Sequence, residues 1–381
     1  MTNAVATRTA PGEGAAPSVE RRTVGIASFP SVLTTNPYQR LLYAELARHG
    51  IELTPDVPFD LGWLRRSRGS VRILHFHWPQ AFWRNERGPR PLRRLLSYPK
   101  LGLFWLRLTA AKRMGYRVVW TVHQVYPHER VGGPLDRLGA RILARAADLL
   151  LVHDRGTADT VAAELPAQAG KVEIVPHGSY RGVYPPGRDR ATVRRELGLG
   201  DDTFAFLCFG DLRTYKGVAF ALDAFEAADA PNAALVVTGG IGDGAQADAV
   251  RVAAEANPRI LDRLGFVPDE RVAELFAACD TAVLSRNDGG TSGSLILALS
   301  LGLPVVAARR PAYEELLDGD AAGWLFEPGN RASLAATLTC AASTDPDALA
   351  AKRAAAAAQV ARLRWDEIGA RTANLMRKTL A

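Results

Sequence analysis

Short apolar runs alternate with amphipathic helical segments along most of the chain. Residues 23–28 (TVGIAS) form such a run, and residues 38–48 follow with Leu41, Leu42 and Leu46 on one helical face before Gly50. Similar runs, each typical of a buried strand, occur at residues 71–76, 117–122, 149–152 and 172–175, and then at 204–209, 234–238, 281–284 and 304–307. Strands that alternate with helices predict parallel sheets covered by helices on both faces.

The alternation pauses once, in a stretch rich in glycine and proline, and then restarts. A chain of 381 residues also fits two hydrophobic cores better than one. The predicted fold class is α/β, with two Rossmann-like domains facing a cleft and a C-terminal helix that crosses back. The predicted divisions are a disordered tail at 1–20, a first domain at 21–180, a linker at 181–201, a second domain at 202–362 and the C-terminal helix at 363–381.

Composition narrows the class of protein further. The chain is 48% hydrophobic and 23% charged, which excludes a disordered chain, a fibre and a disulfide scaffold. Its three cysteines are scattered, which favours a reducing compartment over a zinc site. The longest nearly apolar run, residues 295–308, is shorter than the roughly 18 residues of a spanning helix, and the first twenty residues do not resemble a secretory signal. The expected location is the cytoplasm.

The positive charge is concentrated in one segment, residues 84–117, which carries ten basic residues and a single acidic one. Leucines and the aromatic residues Tyr98, Phe104 and Trp105 are interleaved with them. This mixture suits peripheral contact with an anionic membrane, at the inner face of the cell membrane. The alternative is a buried helix whose other face carries solvated arginines. Nucleic acid is not expected as a partner, because the rest of the chain is acidic and has no nucleic-acid motif.

Two loops after strands of the second half have the chemistry of an anion site. The first contains Gly210, Arg213 and Lys216, where glycine permits a tight turn and the two cations can reach one diphosphate. The second combines glycines with hydroxyls before an apolar helix, and its backbone N–H groups form a candidate cradle for an anion: Gly289, Gly290, Thr291, Ser292, Gly293 and Ser294. The alternative for the first loop is two surface cations at a helix start, and the alternative for the second loop is a plain structural turn.

The order of motifs in the second half resembles the sugar-nucleotide-binding domain of GT-B glycosyltransferases, most closely the family 4-type group (glycosyl transferases group 1). The motifs are Gly-x-x-Arg-x-x-Lys-Gly at 210–217, Gly-Phe-Val-Pro at 265–268, the glycine-rich loop, Gly-Leu-Pro at 302–304 and Gly-Trp-Leu-Phe at 323–326. The resemblance implies that Arg213 and Lys216 hold the diphosphate of a donor sugar nucleotide. It departs from the family at the usual glutamate pair, because the matching positions are Gly289 and Leu297, and Asp288 is the neighbouring candidate to replace the first glutamate.

All seven histidines lie in the first half, and several follow predicted strands. Residues at the carboxyl ends of parallel strands face the ligand cleft. The resemblance implies that His123 lies beside the donor sugar. His123, Glu129 and Asp288 are the predicted catalytic residues, and Asn36, Tyr38, His77 and Trp78 are predicted to contact the acceptor. No metal site is expected, because His75 and His77 have no third ligand at metal spacing.

These observations favour a hexosyltransferase that moves a sugar from a nucleotide-diphosphate sugar to a hydroxyl acceptor. No cofactor or metal is expected, since cationic side chains neutralise the diphosphate. A lipid-linked saccharide in envelope polysaccharide or glycolipid synthesis is the expected acceptor. The alternatives are an epimerase or hydrolase of sugar nucleotides with the same fold, and a non-catalytic protein that binds sugar nucleotides. Retention or inversion of configuration stays open.

Overall fold

The computed structural model describes residues 23–32, 36–85, 89–126, 133–286 and 290–381. Its first half forms a six-stranded parallel sheet in the order β2-β1-β3-β4-β5-β6. The strands are β1 Val24–Phe29, β2 Ile51–Thr54, β3 Val71–Phe76, β4 Arg117–Thr121, β5 Leu149–Val152 and β6 Val172–Ile174. The apolar runs give these strands two buried faces, so helices cover both sides of the sheet.

The second half repeats this architecture in a separate six-stranded parallel sheet, ordered β12-β11-β10-β7-β8-β9. Its strands are β7 Phe204–Phe209, β8 Ala233–Gly239, β9 Ile260–Leu264, β10 Thr281–Leu284, β11 Val305–Ala308 and β12 Gly323–Phe326. The predicted fold class, two Rossmann-like domains of parallel sheet and flanking helices, is therefore confirmed.

Helices connect the strands in both halves. In the first half they are α1 Pro37–Arg48, α2 Leu61–Ser67, α3 Arg90–Arg113, α4 Pro134–Ala146 and α5 Arg155–Glu164. In the second they are α6 Arg190–Leu197, α7 Val218–Ala227, α8 Gly244–Ala256, α9 Asp269–Ala278, α10 Gly293–Ser300, α11 Pro311–Leu317 and α12 Arg331–Ala342, followed by α13 Pro346–Ala361 and α14 Trp365–Lys378. Short 3-10 helices lie at Pro79–Phe82, Pro166–Lys171 and Thr214–Lys216.

Three strands are not among those that the sequence predicted. They are β2, β9 and β12, and all of them lie at the edge of a sheet. Edge strands are shielded on fewer sides, so β2 (IELT) and β9 (ILDRL) mix polar with apolar residues. The nine predicted strands are all present, within one or two residues of the expected bounds.

The segment predicted as a linker, residues 181–201, contains a helix and packs on the second domain. Helix α6 spans eight residues of it. The Arg188 guanidinium lies 2.8 Å from the Glu274 carboxylate, and that of Arg190 lies 2.7 Å from Asp280. The second half of this segment thus packs on the second domain, because its charged residues pair with partners about 90 residues further along the chain.

The C-terminal helix α14 crosses back onto the first domain, as the sequence predicted. The Trp365 indole N–H donates to the Ser179 carbonyl at 2.7 Å, and its ring lies 5.7 Å from that of Tyr38. At the other end of the helix, Arg377 donates to the His49 carbonyl at 2.7 Å. Within the described part of the chain, no helix is long and apolar enough to cross a membrane.

Helix α3 exposes an apolar face. Leu101, Phe104, Leu108 and Ala111 are buried at helical spacing. The remaining surface exposes large hydrophobic side chains, those of Leu92, Leu95, Leu96, Tyr98, Leu103, Trp105 and Leu106. The helix is therefore buried on one face, and its other face exposes large apolar side chains together with cations such as Lys100 and Arg113.

We predict that Trp365→Ala lowers the free energy of unfolding by about 2–3 kcal/mol, because it removes a half-buried aromatic side chain and its hydrogen bond to Ser179. Urea unfolding followed by circular dichroism measures the change. The matched control is Trp105→Ala, whose side chain is 56% exposed on α3. It should change stability by less than about 0.5 kcal/mol. Equal losses for the two variants would contradict the docking of α14.

Candidate active site

Histidines line the carboxyl ends of four neighbouring strands of the first sheet. His77, His123, His153 and His177 follow β3, β4, β5 and β6 in turn, and His75 is the penultimate residue of β3. Since parallel strands end at a common edge, these side chains meet there. Successive rings in the series from His75 to His177 lie 4.1, 5.5, 5.1 and 5.3 Å apart between centroids. We call these five residues the histidine cluster.

Tyr38, at the start of α1, occupies the middle of the histidine cluster. Its ring centroid lies between 4.6 and 5.9 Å from those of His77, His123, His153 and His177. Only 4% of Tyr38 is exposed. The structure gives Tyr38 a packing role against these rings, and its contact with an acceptor stays a prediction.

The cluster meets the surface at His123. The Trp78 ring stacks on the His123 imidazole at 4.3 Å with an angle of 12° between the planes. Both residues are partly exposed, whereas His75 and His77 are buried. His153 is partly exposed as well, so Trp78, His123 and His153 are the members of this group that a ligand in the cleft can reach.

Burial keeps the imidazoles of the cluster neutral. Desolvation lowers the pKa of His75 and of His177 to about 3. The pKa values of His77 and His123 are also held well below 6.5, first by burial and then by the neighbouring histidines. A neutral imidazole has one N–H donor and one lone pair, so the cluster can accept hydrogen bonds at neutral pH.

His153 shows which nitrogen carries its proton. Its Nδ1 lies 2.9 Å from the Val175 carbonyl oxygen, which can only accept, so Nδ1 is protonated and Nε2 carries a lone pair. The sequence analysis did not single out His153, although it follows a buried strand as His77 and His123 do.

Across the cleft, the loop after β7 presents Arg213 and Lys216. The Lys216 ammonium lies against Gly210, where a Cβ atom would come within 2.8 Å of Nζ. Gly210 also has a φ of +102°, so glycine is required for both its backbone and this close approach. The three residues lie in one loop, and that they bind a donor diphosphate stays a prediction.

Arg286, which follows β10, joins the same positive cluster and was missed by the sequence analysis. It lies over the Tyr215 ring at 5.5 Å. The pKa of Lys216 is lowered to about 8, and burial is the largest cause. The charges of Arg286 and Arg213 also lower this pKa, whereas Asp211 raises it. Arg213, Lys216 and Arg286 thus lie close enough for their charges to interact, and that they bind a diphosphate stays a prediction.

The loop between β10 and α10 connects the cations to the first domain. At its start, the Ser285 hydroxyl contacts the Lys216 and Gly217 carbonyls at 3.0 and 2.8 Å. At its end, the backbone N–H and the hydroxyl of Thr291 donate to the Asp154 carboxylate at 2.9 and 2.7 Å. Asp154 belongs to the first domain and follows His153, so Ser285 lies beside the positive cluster and Thr291 lies beside the histidine cluster.

Asp154 is buried, and its carboxylate accepts four hydrogen bonds. Besides the two bonds from Thr291, its carboxylate accepts the Thr157 N–H at 2.7 Å and the Thr157 hydroxyl at 2.9 Å, which caps α5. A Cβ atom on Gly290 would lie 2.1 Å from the Thr157 hydroxyl, so glycine is needed for the loop to approach. The donors of Thr291 that the sequence assigned to a phosphate are bound to Asp154 in this structure.

The other predicted site residues lie close to this junction or outside the described residues. Ser292 and Gly293 begin α10, with Ser294 next, and a Cβ on Gly293 would be 3.5 Å from the Tyr180 hydroxyl. Asn36 caps α1 by accepting the Tyr38 N–H at 3.0 Å, and the Tyr180 hydroxyl lies 3.3 Å from the same oxygen. Glu129, Asp288 and Gly289 fall outside the described residues.

No group of three or more His, Cys, Asp or Glu side chains within the described ranges is arranged to hold a metal ion. Part of the reason is that ring nitrogens of the histidine cluster are bonded to one another, to Tyr43, to Thr121 and to carbonyl oxygens. Leu297, at the position of the family's second glutamate, packs in the core of the second domain.

The two parallel-sheet domains with flanking helices match the GT-B fold of solved glycosyltransferase structures. The model of the family "Glycosyl transferases group 1" matches residues 203–344, in the second half of the chain. The chain is a hexosyltransferase of the GT-B class.

Relatives and solved structures agree with this assignment. The chain is 27% identical over 313 residues to GDP-mannose:glycolipid 4-beta-D-mannosyltransferase of Xanthomonas campestris pv. campestris, covering 82% of this chain and 80% of that protein. It is also 27% identical over 342 residues to 2-deoxystreptamine glucosyltransferase of Streptomyces kanamyceticus, covering 83% and 82%. The fold is shared with Anabaena Alr3699/HepE in complex with UDP-glucose, with a TM-score of 0.72, 16% identity and coverage of 93% and 99%.

We predict that Thr291→Val lowers the free energy of unfolding by about 1–3 kcal/mol, because the buried Asp154 carboxylate loses a hydroxyl donor while the side-chain shape is kept. Thr291→Ser keeps the hydroxyl and should retain most of the stability. Thr160→Val is the control, since that hydroxyl donates to the Gly156 carbonyl at the exposed surface. Denaturant titration compares the three, and a Thr291→Val protein as stable as the Thr160→Val protein would speak against the Asp154 contact.

Proposed function

We propose that this hexosyltransferase takes its sugar from a nucleotide-diphosphate sugar and transfers it to a hydroxyl of a lipid-linked saccharide or glycolipid. The observation that carries the proposal is that described residues after β10 contact both sides of the cleft. Ser285 bonds to the Lys216 and Gly217 carbonyls, beside the cations for a diphosphate, and Thr291 bonds to Asp154, which follows His153 of the neutral histidine cluster. The names of the relatives support it, because the Xanthomonas campestris enzyme uses GDP-mannose and a glycolipid.

In this proposal, the second domain stabilises the leaving group. Arg213, Lys216 and Arg286 bind the diphosphate, and their positive charge becomes more favourable as negative charge develops on the departing phosphate oxygen. The bond that breaks joins the anomeric carbon to that oxygen, and its electron pair leaves with the nucleoside diphosphate.

In the first domain, His123 is the proposed base. The acceptor oxygen forms its bond to the anomeric carbon, and the hydroxyl proton passes to the lone pair of the His123 imidazole. The oxygen becomes strongly acidic as this bond forms, so an imidazole with a lowered pKa is still basic enough to take the proton. Asp154 is poorly suited to the role, because it already accepts four hydrogen bonds.

We propose that the exposed face of α3 holds the protein at an anionic membrane surface in the cytoplasm, where lipid-linked acceptors in envelope polysaccharide or glycolipid synthesis lie. Seven of the eleven large hydrophobic side chains that are exposed in the described residues are on this helix. Lys100 and Arg113 are exposed on the same helix. Apolar side chains with flanking cations are what an anionic bilayer interface binds.

We predict that Lys216→Ala lowers kcat/KM at least about 100-fold, since the leaving diphosphate loses a charged donor. In the wild-type protein kcat/KM should fall above pH 8, because the Lys216 pKa is lowered to about 8 and deprotonation removes a charge from the site. Lys216→Arg should keep measurable activity without that decline. The assay is transfer of label from GDP-mannose or UDP-glucose to a bacterial glycolipid extract, read in the organic phase at pH 6.5 to 9.5.

The control for this experiment is Lys378→Ala, at the exposed end of α14, which should match the wild type. Release of free sugar without labelled lipid would contradict the transfer proposal and would show that the protein hydrolyses the sugar nucleotide. A Lys216→Ala protein as active as the control, or a wild-type profile that is flat to pH 9.5, would remove Lys216 from the diphosphate site.

For the membrane proposal, we predict that the protein floats with vesicles containing anionic phosphatidylglycerol at low salt. It should remain at the bottom of the gradient when the vesicles contain only neutral phosphatidylcholine. Leu95→Ser combined with Trp105→Ser removes two of the exposed apolar side chains of α3 and should abolish flotation. Phe266→Ser, at a side chain that is 81% exposed on the second domain, should leave it unchanged. Sucrose-gradient flotation reads the bound fraction. Equal flotation of both variants would show that α3 is not the contact surface.

A further inference from the structure

The turn that carries the cations of the second domain is held by the loops on both sides of it. It is the 3-10 helix Thr214–Lys216, which follows Arg213 directly. The strands β8 and β10 flank β7 in the sheet, so the loops after them lie on either side of this turn. From the β8 side, the Asp243 carboxylate caps α8 and accepts the Thr214 hydroxyl.

From the β10 side, the Ser285 hydroxyl joins its loop to the backbone of the turn. It lies 3.0 Å from the Lys216 carbonyl oxygen and 2.8 Å from the Gly217 carbonyl oxygen, and Ser285 is only 2% exposed. A Cβ atom on Gly217 would lie 2.9 Å from the Ser285 carbonyl oxygen, so glycine lets the two loops meet here. The next residue, Arg286, is thereby brought to the turn.

Tyr215 meets the side chain of Arg286. The guanidinium carbon lies 5.5 Å from the centre of the Tyr215 ring, within the roughly 6 Å at which an aromatic face attracts a cation. Both side chains are partly buried, which strengthens this attraction. A guanidinium stacks through its face and hydrogen-bonds through its edge, so a stacked arginine can also bind phosphate oxygens.

This contact acts against a repulsion between like charges. Arg286 and Arg213 lie close enough to Lys216 to lower the pKa of its ammonium. A guanidinium with no contact to hold it would move away from that ammonium into solvent, because the repulsion falls with distance. The ring of Tyr215, the residue before Lys216 in the chain, keeps the guanidinium near the ammonium instead.

We propose that Tyr215 is a positioning residue that holds the Arg286 guanidinium beside Lys216, so that both cations bind the same diphosphate. Tyr215 acts through Arg286 and needs no contact of its own with the ligand. That the ligand is a diphosphate rests on the function proposed above, whereas the stacking of Arg286 on Tyr215 does not.

The test is calorimetric titration of the full-length protein with inorganic pyrophosphate at pH 7, comparing Tyr215→Phe with Tyr215→Leu. Phenylalanine keeps the aromatic face and should bind pyrophosphate within about twofold of the wild type. Leucine removes that face and should weaken binding about five- to tenfold, and Arg286→Gln should weaken it at least as much. Tyr215→Leu should cause no further loss in the Arg286→Gln protein, because its effect passes through that arginine.

Arg251→Gln is the matched control, because it removes an exposed arginine of the same domain, paired with Asp248 on α8. It should bind pyrophosphate like the wild type, and Tyr215→Leu should have its full effect in that background. A Tyr215→Leu protein that binds as tightly as Tyr215→Phe would overturn the proposal. Equal losses from Tyr215→Leu with and without Arg286 would also overturn it.

A second measurement needs no ligand. NMR of the protein labelled with 13Cε-lysine follows the titration of Lys216, whose signal is assigned by its loss in Lys216→Arg. Removing Arg286, or releasing it with Tyr215→Leu, takes a positive charge from the ammonium and should raise the Lys216 pKa above about 8, whereas Tyr215→Phe should not. The groups whose charges act on this ammonium come from the end of β7 and from the loops after β7 and β10: Cys208, Asp211, Arg213 and Arg286.

The two measurements separate failure of the positioning role from failure of the proposed function. If pyrophosphate does not bind to the wild-type protein, the diphosphate site of the proposed function is refuted, and the lysine titration decides the positioning role. An identical Lys216 pKa in the wild-type and Tyr215→Leu proteins would show that Tyr215 does not hold Arg286.

Discussion

The junction of the two domains depends on one buried carboxylate. Asp154 lies at the end of a strand in the first sheet and takes two hydrogen bonds from Thr291 in the second. A buried carboxylate is costly unless its oxygens are well supplied with donors, so this contact fixes where the loop after β10 can lie. The position of that loop, in turn, sets how the cations around Lys216 stand relative to the histidine cluster.

The histidine cluster shows how an all-neutral polar group can be kept at a sheet edge. Five imidazoles that were charged would repel one another, but burial holds their pKa values low, and neutral rings can hydrogen-bond in series. In the proposed function, these neutral rings hydrogen-bond to a sugar without attracting its phosphates. The positive charge that would bind the diphosphate comes from the opposite domain, so each side of the cleft would recognise one part of the donor.

Local patterns predicted the fold well, because strands buried on both faces leave continuous apolar runs. The edge strands β2 and β9 could not be predicted in this way, because their polar residues face solvent and interrupt the apolar run. Arg213, Lys216 and Gly210 could be predicted together since they lie within one loop. The pairing of Asp154 with Thr291 could not, because it joins residues 137 positions apart and depends on how the domains dock. Arg286 and His153 follow strands, and strand ends alone were a usable signal for both.

The return of α14 to the first domain means that the backbone passes between the domains twice, near Gly178 and near Leu363. Both passages lie side by side, since the Ser179 N–H donates to the Leu363 carbonyl at 3.0 Å. Because both crossings meet at this point, covalent connectivity limits the relative movement of the two domains to movement about it.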